Sequence, residues 1–305
     1  MHAHPDDESI GTAAAMAGAL AAGHSVTLLT ATRGEAGEVY PDDLRYLLGH
    51  PAALAAHREG ELAEAMAVLG VTDARFLAPP ARPGAATRWV DSGMVGDRVG
   101  PAGLAPFEQP FADADLLDTG TAVARVLREV RPHVVVTYDE RGGYGHPDHV
   151  AAHRATSYGV ALAAAAGFDP AGGPPWDVPK VYWTASPRTR VLTGLARAAA
   201  AARSGHAPGL VGHPEPGLVP VVDDGAVTTV VDGTAWRRQK AAAMAAHRSQ
   251  LAVVTSADRD GGDVFALTNR FAQPVELVEY YRLVRGTPVP GPSGPEEDLF
   301  AGLDG

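Results

Sequence analysis

The chain has 305 residues, 46% of them hydrophobic and 20% charged, a formal net charge of −11 and no cysteine, which suits one large α/β domain or one domain with a smaller appendage. The lack of cysteine excludes disulfides, iron–sulfur clusters and thiol nucleophiles from this chain. The acidic balance without a basic stripe argues against a nucleic-acid binder, and no leader pattern or apolar run of membrane-spanning length is visible, so no membrane partner and a cytoplasmic location are expected.

In chain order, SIGTAAAMAGALAA (9–22) reads as a helix ending at Gly23, and SVTLLTA (25–31) as a buried strand. Residues 55–69 are helical, with Leu62, Met66 and Leu69 on one face and Gly70 as the stop. A short strand follows near 74–77, then a Pro-, Gly- and Asp-rich connection over 79–118 of the kind that often carries function. Residues 119–130 predict a helix, HVVVTY (133–138) a strand buried on both faces, 149–166 a helix and KVYWTA (180–185) a strand. Residues 205–225 are irregular, 226–231 read as a strand and 234–247 as a helix. From 287 the sequence suggests a loosely ordered tail.

Strand and helix in alternation predict a mostly parallel sheet with flanking helices, whose ligands sit beyond the carboxyl ends of the strands. The expected division is a catalytic domain over 1–185 with 79–118 as its substrate loop, a smaller C-terminal α/β portion over 186–286 closing over the site, and a flexible tail over 287–305.

Two segments concentrate chemistry. The chain opens HAHPDDE after its first methionine, and YDERGGYGHPDHVAAH (138–153) follows the VVVT strand. They share a grammar: His4-Pro5-Asp6-Asp7 against His146-Pro147-Asp148-His149. Each offers two metal donors at i, i+3, and a catalytic zinc site takes three His or carboxylate ligands with one position open. Together they suffice, with a carboxylate left for a base and a histidine left to stabilise charge. Alone, His-x-x-His is weak, and Asp-Asp-Glu is an ordinary helix start.

The pair HAHPDDE and GGYGHPDH resembles the LmbE-like (PIG-L) N-acetylglucosamine deacetylase superfamily. TRGEAGEV (32–39), HREGELAEAMAVLGV (57–71), RWVDSGM (88–94), RPHVVVTYDERGGYGHPDHV (131–150) and PKVYWT (179–184) are similar to its mycothiol-biosynthesis branch. The likeness covers about residues 2–255. It implies a Rossmann-like fold and a zinc-dependent amidohydrolase acting on 1-D-myo-inosityl 2-acetamido-2-deoxy-α-D-glucopyranoside, a small pseudodisaccharide. His4, Asp7 and His149 then bind the Zn2+, with Fe2+ as an alternative for such a donor set. Asp6 is the general base, and His146 is a protonated group at the oxyanion, oriented and raised in pKa by Asp148. Tyr144 polarises the acetyl carbonyl, and His2 packs beneath the site. Glu38, Arg58 and Asp91 are the substrate-binding candidates, with His247 and Gln250 as further ones from the closing C-terminal part.

The nearest alternative is mycothiol S-conjugate amidase, which shares the fold and metal site. Ser9-Ile10-Gly11 after the first motif and Gly145 before the second favour the deacetylase. An alternative of another class is a non-catalytic sugar-binding relic. Related enzymes run a central apolar strand directly into the first motif, and here that strand is expected to be missing, with a translation start further upstream.

Overall fold

The first motif turns straight into helix, α1 over Asp7–Gly11, and α2 continues over Ala13–Ala21. Thr12, with φ −140°, interrupts the single helix expected over 9–22. The computed structural model describes residues 1–81, 86–94, 108–256, 262–292 and 294–303. The elements that follow are β1 (Thr27–Thr30), α3 (Pro51–Leu69), β2 (Asp73–Phe76), β3 (Arg88–Val90), β4 (Glu108–Pro110), α4 (Leu116–Val130), β5 (Val134–Thr137) and α5 (Pro147–Ala164). Then come β6 (Lys180–Ala185), α6 (Arg188–Arg203), β7 (Thr229–Asp232), α7 (Arg237–Ala246), β8 (Ala252–Val254), β9 (Val264–Ala266), β10 (Gln273–Pro274) and β11 (Val278–Arg285).

Local chemistry accounts for several boundaries. α3 and α5 both begin with proline in the first turn, where the missing N–H costs nothing. The Asp115 carboxylate accepts from the N–H groups of Leu117 and Asp118 and starts α4. Gly70, at φ 82°, ends α3 in the left-handed conformation that glycine adopts without penalty.

The fold is mixed α/β. β1 pairs in parallel with β2, and β5 with β6. β11 lies between β6 and β7 and is antiparallel to both, so the expectation of a mostly parallel sheet fails on this side. Residues 1–3 run between β1 and β5. His2 accepts from Ala31 N and donates its own N–H to Leu29 O, while the nitrogen of Met1 donates to Val136 O at 2.6 Å. These residues thus stand where a strand ahead of the first motif is expected. One core packs Leu29 of β1, Val135 of β5 and Val181 of β6 against Val123 and Leu127 of α4 and Ala152, Ala155 and Val160 of α5. A second packs Met16 of α2 and Leu28 of β1 against Leu62, Met66 and Leu69 of α3, the face read from the sequence. β8, β9 and β10 form a small antiparallel sheet beyond α7. Residues 82–85 and 95–107 of the expected substrate loop lie outside the described residues.

The segment expected to be a flexible tail is anchored at Glu296. Glu296 is buried, accepts from Thr229 Oγ1 at 2.7 Å and Tyr182 Oη at 2.9 Å, and pairs with Lys180 Nζ at 2.6 Å. Leu299 packs on Tyr182 and Tyr281. A buried carboxylate with four donors converging on it, the fourth being Val289 N at 2.8 Å, fixes a Pro- and Gly-rich segment that composition alone reads as loose. Glu296→Ala leaves the Lys180 ammonium buried without its partner, which costs about 3–5 kcal/mol. Urea unfolding should show a loss of that size; a loss under 1 kcal/mol would contradict the role of the pair.

Candidate metal centre

Four loops meet beyond the carboxyl ends of residues 1–3, β1, β3 and β5, at the place open α/β sheets reserve for ligands. They line one wall of a cleft of about 1740 Å³ whose other wall carries Arg190, Phe265, Thr268 and Gln273 from the C-terminal part.

His4 and His149 face each other across Asp7. Asp7 Oδ1 lies 3.2 Å from His149 Nε2, and Asp7 Oδ2 lies 3.5 Å from His4 Nδ1. Two donors hold the Asp7 carboxylate in place: Tyr138 Oη at 2.7 Å and the His4 main-chain N–H at 2.9 Å. Tyr138 also stacks on His149 at 4.2 Å between ring centroids. His146 completes the cluster, since the imidazoles of His4, His146 and His149 offer nitrogens within 4.8 Å of one another.

These residues fit a divalent cation. His149 Nε2 is buried and makes no hydrogen bond, although a carboxylate oxygen is close. Burial opposes charge on His4, but Asp91, Asp148 and Asp7 together hold its pKa well above the usual value. His4 Nε2 donates to Asp148 Oδ2 at 3.1 Å, which leaves Nδ1 facing Asp7. A metal ion replaces the Nδ1 proton in such a setting and satisfies the carboxylates that demand positive charge.

Asp148 is therefore on a different partner from the one expected. Its carboxylate binds His4 and the N–H and hydroxyl of Ser92 at 2.8 and 2.6 Å, not the His146 ring. The Asp148 main-chain N–H instead donates to His146 Nδ1 at 3.1 Å. Burial, then the neighbouring His4 and His149, push the His146 pKa down to about 4, and an Nδ1 that accepts a hydrogen bond describes a neutral ring where an imidazolium is expected. With Nδ1 accepting, that neutral ring carries its proton on Nε2.

Asp6 stands beside the donors on a backbone with φ 114° and ψ −34°. For a residue with a Cβ this costs on the order of 1–3 kcal/mol, and such outliers cluster at functional sites. Burial raises its pKa to about 6, with Arg58 lowering it and Asp7 raising it again. Arg58, a substrate-binding candidate, lines the cleft and engages the motif that carries Asp6. It is buried, donates to Gly34 O at 2.9 Å and to Pro5 O, and lies 3.4 Å from Asp6 Oδ2. A Cβ at Gly34 would stand 1.9 Å from Arg58 Nη1, so the glycine of TRGEAGEV is required.

The other expected site residues divide between the cleft and its supports. Tyr144 is 57% exposed at the rim, its ring 4.9 Å from that of His149. Glu38 lines the cleft, accepts from Thr268 Oγ1, and its carbonyl accepts from Gln250 Nε2 at 3.0 Å. Asp91 stands 3.6 Å from His4 Nε2, nearer the metal donors than a pure sugar contact requires. His247 is fully buried against Glu8, and His2 binds Thr12 Oγ1 at 2.9 Å beneath the site. The roles of Ser92, Tyr138 and Glu8 escape sequence reasoning. Only the position of Tyr138 directly after VVVT hints at its place.

Comparison with known proteins follows the same line. The family described as PIG-L: GlcNAc-PI de-N-acetylase matches residues 1–158. A 1D-myo-inositol 2-acetamido-2-deoxy-alpha-D-glucopyranoside deacetylase of Kineococcus radiotolerans is 48% identical, covering 99% of this chain and 82% of the relative. A protein of Saccharopolyspora erythraea with the same description, numbered 2, is 45% identical over 100% of this chain and 99% of its own. The solved N,N'-diacetylchitobiose deacetylase of Pyrococcus horikoshii shares the fold at a TM-score of 0.51 and 18% identity, covering 81% of this chain and 68% of that one.

Proposed function

The chain belongs to the PIG-L family, and from that premise and the geometry of its cleft we propose how it works as a deacetylase. It hydrolyses the N-acetyl group of 1-D-myo-inosityl 2-acetamido-2-deoxy-α-D-glucopyranoside, giving acetate and the glucosaminyl-inositol in mycothiol biosynthesis. Support comes from relatives of that description at 45–48% identity over nearly the whole chain. The observation that carries the mechanism is the placement of Asp6, strained and with a pKa near 6, beside the His4, Asp7 and His149 donors.

His4, Asp7 and His149 would hold the metal, and two imidazoles with one carboxylate suit Zn2+ and also Fe2+. Bound there, a divalent ion would supply Lewis-acid polarisation of the amide and acidify the attacking water. Asp6 takes the proton from the attacking water as the new C–O bond forms. The Nε2–H of neutral His146 and the Tyr144 hydroxyl donate to the carbonyl oxygen as it gains charge. The C–N bond then breaks with its electron pair on nitrogen, and Asp6 returns the proton to the leaving amine. The segment 186–286 closes the cleft over the sugar, and the enzyme works in the cytoplasm. No helix among the described residues is long and apolar enough to cross a membrane.

The direct test is acetate release from the inositol substrate beside a mycothiol conjugate, with metal analysis. Faster turnover of the conjugate would make this an amidase, and no turnover of either by metal-loaded protein would make it a binding relic. Glu38 and Gln250 read the sugar hydroxyls from the cleft wall. Glu38→Ala should raise KM for the full substrate by about tenfold, the worth of one charged hydrogen bond of roughly 1.5 kcal/mol, and change plain N-acetylglucosamine less. Equal effects on both would remove Glu38 from the inositol-bearing side.

A further inference from the structure

Two buried charges of opposite sign grip the peptide that carries the base. On one side Arg58 Nη2 donates to the Pro5 carbonyl, and on the other the Asp6 N–H donates to Glu8 Oε2 at 2.9 Å. A positive φ of 114° at Asp6 persists only where its surroundings over-determine it. Glu8 is itself completely buried and held through its second oxygen, which accepts from Ser9 Oγ at 2.6 Å and from His247 Nε2 at 2.7 Å. His247 follows α7, more than two hundred residues along the chain, is completely buried, and does not line the cleft.

We propose that Glu8 and His247 are positioning residues for the deacetylation: the His247–Glu8 pair fixes the Pro5–Asp6 peptide in its positive-φ conformation and so aims the Asp6 carboxylate. The C-terminal segment then contributes to catalysis from behind the base, without touching substrate. This rests on the reading of Asp6 as the base. Glu8 serves the clamp because both of its oxygens are used, one on the Asp6 peptide and one on the groups that anchor it. Its place two residues after Asp6 lets it reach back to that N–H. His247 supplies the long-range tie that a local turn lacks.

The test compares His247→Ala, His247→Gln and Asp6→Asn, singly and combined, in metal-loaded protein. His247→Ala should lower kcat by about 10²-fold, the scale for a catalytic group displaced by about 1 Å, with KM and metal content unchanged. His247→Gln, whose amide N–H reaches toward Glu8, should recover most of the loss. In the Asp6→Asn background the His247 change should cost less than twofold, because the base it aims is gone. A crystal structure of His247→Ala should show φ at residue 6 leaving the positive region. Where Ala does not fold, His247→Asn, too short to reach Glu8, carries the same expectations. A kcat within twofold of the parent in either folded variant, or equal losses with and without Asp6, overturns the clamp. Full turnover by Asp6→Asn removes the base reading instead.

Discussion

Asp6→Ala is expected to retain its metal and lose roughly 10²–10⁴-fold in kcat, the usual contribution of a positioned base. Asp6 and Asp7 are adjacent in sequence yet have different surroundings. Burial opposes the charge on Asp7, but His149 and His4 hold its pKa well below the carboxylate range, as suits a ligand. Burial wins at Asp6 and raises it to about 6. One carboxylate is thus permanently ionised and the other is poised to exchange protons. The base must be ionised to act, so kcat/KM falls as pH drops through its pKa. A bound cation favours the ionised form, which puts the acid limb at or below about pH 6. Burial and the neighbouring His4 and His149 push the His146 pKa down to about 4, and on the reading of a neutral His146 the ring contributes no basic limb. His146→Ala should therefore lower kcat while leaving any basic limb where it was. Loss of metal from Asp6→Ala, or a basic limb that vanishes with His146, would contradict these assignments.

The two loops that meet at the candidate site were legible because their pattern is local: His and Asp at fixed spacing, directly after a strand or before a helix. The supports were not, because they depend on distant partners. Asp148 reads as a partner for His146, two residues away, but α5 turns its carboxylate toward His4 and Ser92. Arg58 reads as a substrate-binding candidate, and only the fold shows it against Gly34, Pro5 and Asp6. β11 shows why pattern alone missed a central strand. Its inward residues are Glu279 and Tyr281, and the buried glutamate is tolerated because Lys240 Nζ and the N–H groups of Ala14 and Ala15 satisfy it. Alternation would have placed that charge in solvent. α6, RTRVLTGLARAAAAAR, buries only Gly194, Leu195 and Ala198, too narrow an apolar stripe to signal a helix.

The largest expected effect is at His149. On the proposed metal site His149→Ala removes one of three donors, so bound metal and acetate release should fall together. Lewis-acid stabilisation is worth several kcal/mol, which at 1.36 kcal/mol per decade amounts to about 10³-fold or more. Tyr138→Phe gives the graded contrast. It deletes the hydroxyl that holds Asp7 Oδ2 at 2.7 Å but keeps the ring stacked on His149. Losing such a support typically costs 10–100-fold in metal affinity or activity. Excess zinc should then restore Tyr138→Phe, whose donors are all present, and should not restore His149→Ala. The order follows from the proposed site, in which the phenol only orients a donor and the imidazole is one. If His149→Ala kept full metal and normal turnover, the ion would have to sit instead among His4, His146, Asp91 and Asp148, a second group of donors among the described residues.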